Sequence, residues 1–310
     1  MPEQQNPALR IEQVSLDHLR AIAESGELYA VADATDAPAV PRKVLELGPA
    51  RAVSLYRGTA EEEFWDVAPY LLHLDPPVLD WIVSTLDVKR WGIFAVSKAN
   101  LDTLRTHFRH FLKVQPPEGE PWHFRFYDPR VFRPFLPACS VEELRIFFGP
   151  LRVFGVLTSE AVLLHCERGA PPVPYQPRQS GESPFLQLRP QHLEALRPQA
   201  EAAFAHQICQ FLRDDHPSLL EGLSDEVIFR RVLAGIGRAR RYNFTLESSI
   251  ASFVAIMFTV APNFDEQPSI RAALMDASVA PDLRIGRFRE RTLEKDWEDA
   301  RAGANDRAWT

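Results

Sequence analysis

Residues 91–112 read WGIFAVSKANLDTLRTHFRHFL, and two periodicities follow one another in that stretch. WGIFAVS (91–97) is short, apolar and rich in aromatic and β-branched residues, the composition of a buried strand. The period then changes. Leu101, Leu104, Phe108, Phe111 and Leu112 recur at the spacing of one apolar helix face, with His107, Arg109 and His110 expected on its solvated side.

The same alternation extends in both directions. Strands are expected at LYAVADA (28–34), VSLYR (53–57), PYLLHL (69–74), WHFRFYD (122–128), VFGVLTS (153–159) and AVLLHCE (161–167). Helices are expected at SLDHLRAIAESG, PAVPRKVLELG, PPVLDWIVSTLD and VEELRIFFG. This predicts an α/β domain over residues 1–167, a mostly buried mixed sheet with flanking helices. Residues 168–184, RGAPPVPYQPRQSGESP, hold five prolines and two glycines and read as a loop or linker. Beyond them, 185–310 reads as an all-α lobe. Leu193, Leu196, Phe204, Ile208, Phe211 and Leu212 share one helix, Ser224 caps a second and Thr245 a third, and the charged tail ERTLEKDWEDARAGANDRAWT reads as frayed.

Composition narrows the function. With 45% hydrophobic and 25% charged residues among 310, the chain has the balance of a globular protein that buries a core. Its formal charge is −7, with 18 basic against 23 acidic residues through residue 170 and 17 against 19 beyond. Neither part is basic, which argues against a nucleic-acid partner, since such proteins neutralise phosphates with clustered Lys and Arg. Cys139, Cys166 and Cys209 are scattered and suggest neither a disulfide framework nor a zinc site, which fits a reducing cytoplasm. The N-terminus carries no signal-peptide pattern. The most apolar run, Ile250 to Ala261, is shorter than the roughly 18 to 20 residues that span a bilayer, so it is expected to be a buried helix without membrane insertion.

Catalytic signatures are missing. The sequence has no nucleophile elbow, Walker loop, HExxH or dinucleotide fingerprint, and GIGRA (235–239) falls at a helix C-terminus, where the dipole repels anions. His107 with His110, Asp214–Asp215–His216, and His165 beside Cys166 are each better read as solvated face, helix end and strand alternation than as metal or catalytic groups. Glu61, Glu62 and Glu63 read as the solvated first turn of a short helix. No catalytic residue, cofactor or metal is assigned.

One stretch is left over. HFRFYDPRVFRPFLP (123–137) packs aromatics, arginines and prolines together. As a strand it puts Phe124 and Phe126 on one face and Arg125 and Tyr127 on the other. Asp128 then suits a helix N-cap with Pro129 at the first helical position, Phe132 and Leu136 point to the core, and Arg130 and Arg133 lie on another face.

FRFYDPRVFRPFLP resembles the signature phrase of the type VI secretion effector adaptors, also called effector chaperones, whose defining domain carries an unknown-function label. YAVADAT, LYRGTAEEEFWDVAPYLLHL, LDWIVST, WGIFAVSKANLDTLRTHFRHFLKV and FFGP agree with that family in order and spacing, over roughly residues 27 to 155. The resemblance implies a non-enzymatic cytoplasmic adaptor that binds a toxic effector and helps load it onto the valine-glycine repeat spike protein (VgrG) or its PAAR tip. Arg125, Tyr127, Asp128, Arg130 and Arg133, with Trp65 and Trp91, are the candidate partner-binding residues. Asp128 as a mere helix cap, with Arg125 or Arg130 bridging to an acid within the lobe, is the competing reading. A further idea is that the apolar helix at 250–261 shields transmembrane stretches of a cargo. The alternative functions are an α/β enzyme acting on a small phosphorylated molecule and a structural part of the secretion apparatus.

Overall fold

A computed structural model describes residues 8–87, 89–158, 162–167 and 186–309. The chain divides into two compact units, Met1–Arg197 and Pro198–Thr310. The proline- and glycine-rich stretch 168–184 lies outside the described residues.

The first unit runs β1 (Leu9–Val14), α1 (Leu16–Glu24), β2 (Leu28–Asp33), α2 (Val40–Leu47), β3 (Ala52–Ser54), α3 (Thr59–Glu63), β4 (Pro69–His73), α4 (Pro76–Thr85), β5 (Gly92–Val96), α5 (Leu101–Arg109), β6 (Lys113–Gln115), β7 (Trp122–His123), α6 (Pro129–Ala138), α7 (Val141–Phe148), β8 (Val153–Leu157), β9 (Val162–Glu167) and β10 (Leu186–Gln187). Seven strands form one sheet in the order β1-β9-β8-β5-β2-β4-β3, and β10-β6-β7 form a smaller one.

The large sheet is antiparallel at each described ladder, and the parallel pairing that makes the unit mixed is confined to β10 and β6. The strand–helix–strand rhythm arises because β4 and β5 run the same way, joined by α4, while β2 sits between them antiparallel to both.

The sheet is covered on both faces. Tyr29 and Val31 of β2 and Ile93 and Ala95 of β5 pack into one apolar cluster with α5, α6 and α7. Leu28, Ala30 and Ala32, with Phe94 and Val96, enter the other with α1, α2 and α4. Strand alternation thus distributes one apolar run between two cores. Gly92 opens β5 at φ 150°, where a Cβ would lie 2.1 Å from the Val31 carbonyl oxygen; only glycine lets β5 approach β2 there.

Several expectations are corrected. WHFRFYD pairs only through Trp122 and His123, and Tyr127, expected beside Arg125 on a polar face, is buried. Phe124 and Phe126 still reach the core: Phe126 stacks on Phe108 at 5.7 Å and Phe124 meets Phe135 edge-on at 5.0 Å. His107, expected in solvent, is also buried, its Nε2 2.9 Å from the Phe147 carbonyl oxygen. Gly149, at φ 49°, makes room for it, since a Cβ there would lie 2.4 Å from the imidazole Cε1.

Helix α8 (Pro190–Asp215) contains the division between the units. The second unit continues with α9 (Asp225–Arg240), α10 (Glu247–Thr259), α11 (Pro268–Leu274), α12 (Pro281–Arg291), α13 (Glu294–Ala302) and 3-10 turns at Pro217–Leu220, Phe264–Glu266 and Asp306–Trp309. Ser224 caps α9 as expected. Thr245 does not cap α10. The Asp282 carboxylate accepts from the Thr245 and Leu246 amides at 3.0 Å each instead, serving as the cap from another helix. The GIGRA glycine is a packing contact: a Cβ at Gly235 would lie 3.0 Å from Val254. The tail is folded, with Trp309 buried 4.7 Å from the Phe258 ring. No helix among the described residues is long and apolar enough to cross a membrane. Helix α10 instead buries Ile250, Phe253, Val254, Ile256 and Met257.

Candidate protein-binding surface

The junction after β7 meets the end of β2. Asp33 closes a strand that is otherwise apolar and is fully buried, so its carboxylate requires partners. Its Oδ1 accepts from the Thr35 amide at 3.0 Å, and Oδ2 accepts from Arg125 Nε at 3.0 Å and from Arg125 Nη2. Asp36, three residues on, accepts through one oxygen from both Arg125 Nη2 and Arg130 Nη2, each at 2.7 Å. Asp128 caps α6 through the Arg130 amide at 2.9 Å and holds the Arg130 guanidinium at 2.7 to 3.1 Å. Three carboxylates therefore fix two guanidiniums side by side.

Burial alone would lower the Arg125 pKa, but the charge and hydrogen bond of Asp33, with Asp36 and Asp128, raise it above its ordinary value. Arg130 is raised chiefly by its hydrogen bond to Asp128. Burial pushes the Asp33 carboxyl up, and Arg125 and the Thr35 amide offset part of that push. Neither Nη1 of Arg125 nor Nη1 of Arg130 donates a hydrogen bond among the described residues. The side chains are 34% and 28% exposed, so each guanidinium has donors available at its open edge.

The remaining candidates fall in different places. Tyr127 is buried, and burial with the Asp33 charge raises its phenol pKa. Trp91 is buried against Phe94 and reaches the cluster through its carbonyl, which accepts from the Asp33 amide at 2.8 Å. Arg133 is exposed and forms no ion pair among the described residues. Trp65 is 53% exposed beside Phe64 at 50% and Val67 at 39%. Tyr70 donates to the Trp65 carbonyl at 2.6 Å and Thr35 to that of Val67 at 3.1 Å, which ties this aromatic segment to the loop that carries Asp36. Arg125, Asp128 and Arg130 thus come together, Trp65 is tied nearby through the backbone, and Tyr127 and Trp91 support from beneath. Asp33 and Asp36 were missed. The signal for Asp33 was available, since an acid at the end of a wholly apolar strand must be paired.

One set of side chains has the composition of a metal site. Cys139, Glu143 and His192 bring ligand atoms within 4.8 Å of one another. Their hydrogen bonds oppose that use. Glu143 Oε2 accepts from the Ser140 amide at 2.7 Å, completing a capping box on α7, and from the Arg189 guanidinium. His192 Nδ1 accepts from the Arg189 amide at 3.1 Å, so the ring proton is on Nε2, the nitrogen that faces Glu143 at 3.4 Å. A cation on Nε2 would require the other tautomer and would set N–H against N–H. Burial raises the Cys139 thiol pKa and lowers that of His192. The cluster joins the start of α7 to the start of α8.

Comparison with known families gives one match, to the model of a family described as a domain of unknown function, DUF4123, over residues 28–145. The match runs from β2 into α7 and contains the whole Asp33–Asp36–Arg125–Asp128–Arg130 cluster. No curated protein and no solved structure matches the chain.

Proposed function

We propose that the chain is a cytoplasmic adaptor of a type VI secretion system, binding an effector protein in the producing bacterium and helping to load it onto the VgrG or PAAR spike. The observation that carries this reading is the ordered set of phrases from YAVADAT to FFGP, which covers nearly the same residues as the DUF4123 match. The geometry supports it. Arginine and tryptophan are enriched where protein interfaces concentrate their binding energy. Here two guanidiniums are held rigidly by carboxylates beneath them, so little side-chain freedom is lost when a partner docks. Trp65 offers an apolar anchor on a neighbouring segment.

The test is affinity purification of the tagged chain from its native bacterium while the secretion apparatus is being made, with mass spectrometry and light scattering of what elutes. One toxin in roughly one-to-one ratio, with or without the spike protein, is the expected result. A monomer eluting alone would overturn the reading and turn the search toward small phosphorylated ligands.

A further inference from the structure

Outside that cluster, three more guanidiniums gather around the backbone of residues 55–57. Arg105 and Arg109 stand one turn apart on α5. Arg105 Nη2 donates to the Tyr56 carbonyl at 2.9 Å and to both Glu61 oxygens at 3.1 Å. Arg109 Nη1 donates to the Leu55 carbonyl. Arg57 is exposed and forms no hydrogen bond or ion pair among the described residues. Burial lowers the Arg109 pKa, and the charges of Arg57 and Arg105 lower it further against a smaller effect of Glu61. The strip continues across Tyr56, whose hydroxyl lies 3.2 Å from His123 Nε2. Exposed Lys113 faces His123 across the β6–β7 ladder, and its charge, with that of Arg125, acts on that ring. Glu62 and Glu63, further along α3, are exposed and form no ion pair with these arginines.

Of Arg57, Arg105, Arg109 and Lys113, only Arg105 is paired with a carboxylate among the described residues, that of Glu61, on a chain whose formal net charge is −7. We propose that this strip is the docking site for an acidic segment of the protein partner, its carboxylates meeting the open edges of Arg57 and Arg109. Guanidinium forks take carboxylates in two parallel hydrogen bonds, and a second anion relieves the mutual repulsion of the cations. The proposal rests on the adaptor reading for the existence of a protein partner and adds the chemistry by which that partner is held.

The experiment is a fluorescence-anisotropy titration of the full chain with a labelled peptide of alternating glutamate and glycine, and with the same peptide carrying glutamine for glutamate, at low salt. The glutamate peptide is expected to bind at least tenfold tighter. Arg57→Glu, at an exposed position that forms no hydrogen bond or ion pair among the described residues, is expected to weaken it at least fivefold and Arg57→Lys less than threefold. Arg301→Glu, the same charge change on an exposed helix of the other unit, is expected to leave it unchanged. Equal binding of the two peptides, no effect of Arg57→Glu, or equal weakening by Arg301→Glu would overturn the proposal. Displacement of the peptide by inorganic phosphate at constant ionic strength and sub-millimolar concentration would also overturn it, in favour of a small-anion site. Failure here is separable from failure of the adaptor reading. An effector that copurifies equally with the wild type and with Arg57→Glu leaves the adaptor standing without this site, and Arg57-dependent peptide binding with no copurifying protein does the reverse.

Discussion

Arg238 in the helical unit and Arg125 in the α/β unit each meet aspartate, and the two settings differ in what remains open. Arg238 Nε reaches both Asp265 oxygens at 2.8 Å, its Nη2 meets Glu266 at 2.7 Å, and Tyr242 donates to Asp265 at 2.8 Å. Its side chain is 10% exposed, so the group fastens α9 to the turn at Phe264–Glu266 and offers nothing outward. Arg125 stands on an equally buried acid yet keeps a third of its side chain in solvent, beside Arg130. Paired charges serve in one unit as an internal fastener and in the other as the base of a surface. Desolvation makes the buried acid costly in both, and the geometry of its partner decides whether anything is left to bind with.

The largest effects should come from the two buried acids. Asp33→Ala and Asp265→Ala each remove the more buried acid partner of an arginine and are expected to destabilise their own units by about 3–5 kcal/mol, read by denaturant titration. A loss below about 1 kcal/mol for Asp33→Ala would make the Arg125 cluster a surface ion pair and break the comparison. Acid should separate the units next. His107 and His165 are buried with pKa values lowered from 6.5 to about 4. Unfolding lets each ring take up a proton between those values, so the stability they contribute is complete above pH 6.5 and is lost as pH falls toward 4, by about 3 kcal/mol per ring. The α/β unit should therefore acid-unfold in that window, and His107→Gln with His165→Gln should flatten its pH dependence. Asp36→Ala removes the acceptor shared by Arg125 and Arg130. It is expected to cost about 1.5–3 kcal/mol while leaving the helical unit's transition in place. Least affected is Arg133→Glu, expected within about 0.5 kcal/mol of wild type. It tests whether this exposed charge matters to the proposed capture of an effector without disturbing the fold.

How far the sequence could be read depended on the distance over which each feature is decided. WGIFAVSKANLDTLRTHFRHFL announces its strand and helix because periodicity is local, and Phe124, Phe126 and Phe132 reach the core as expected. WHFRFYD misleads because aromatic composition suits any half-buried segment, and only β6 provides a partner, for two residues. His107 was assigned to solvent because helix spacing says nothing of Gly149, 42 positions later, which leaves the ring its space. Asp33 and Arg125 are 92 residues apart, and no spacing rule joins them.

Composition, period and capping residues by themselves determined an α/β unit followed by a helical one, the caps at Asp128 and Ser224, and Phe124, Phe126 and Phe132 as core, because each is settled within a turn or two of chain. Tertiary structure alone decided that the large sheet is antiparallel, that Asp33 and Asp36 hold the arginines, and that Arg105 and Arg109 meet the carbonyls of Tyr56 and Leu55, next to Arg57 in the chain. Those outcomes depend on which distant segments share the space, and on the cost of leaving a charge unpaired once they do.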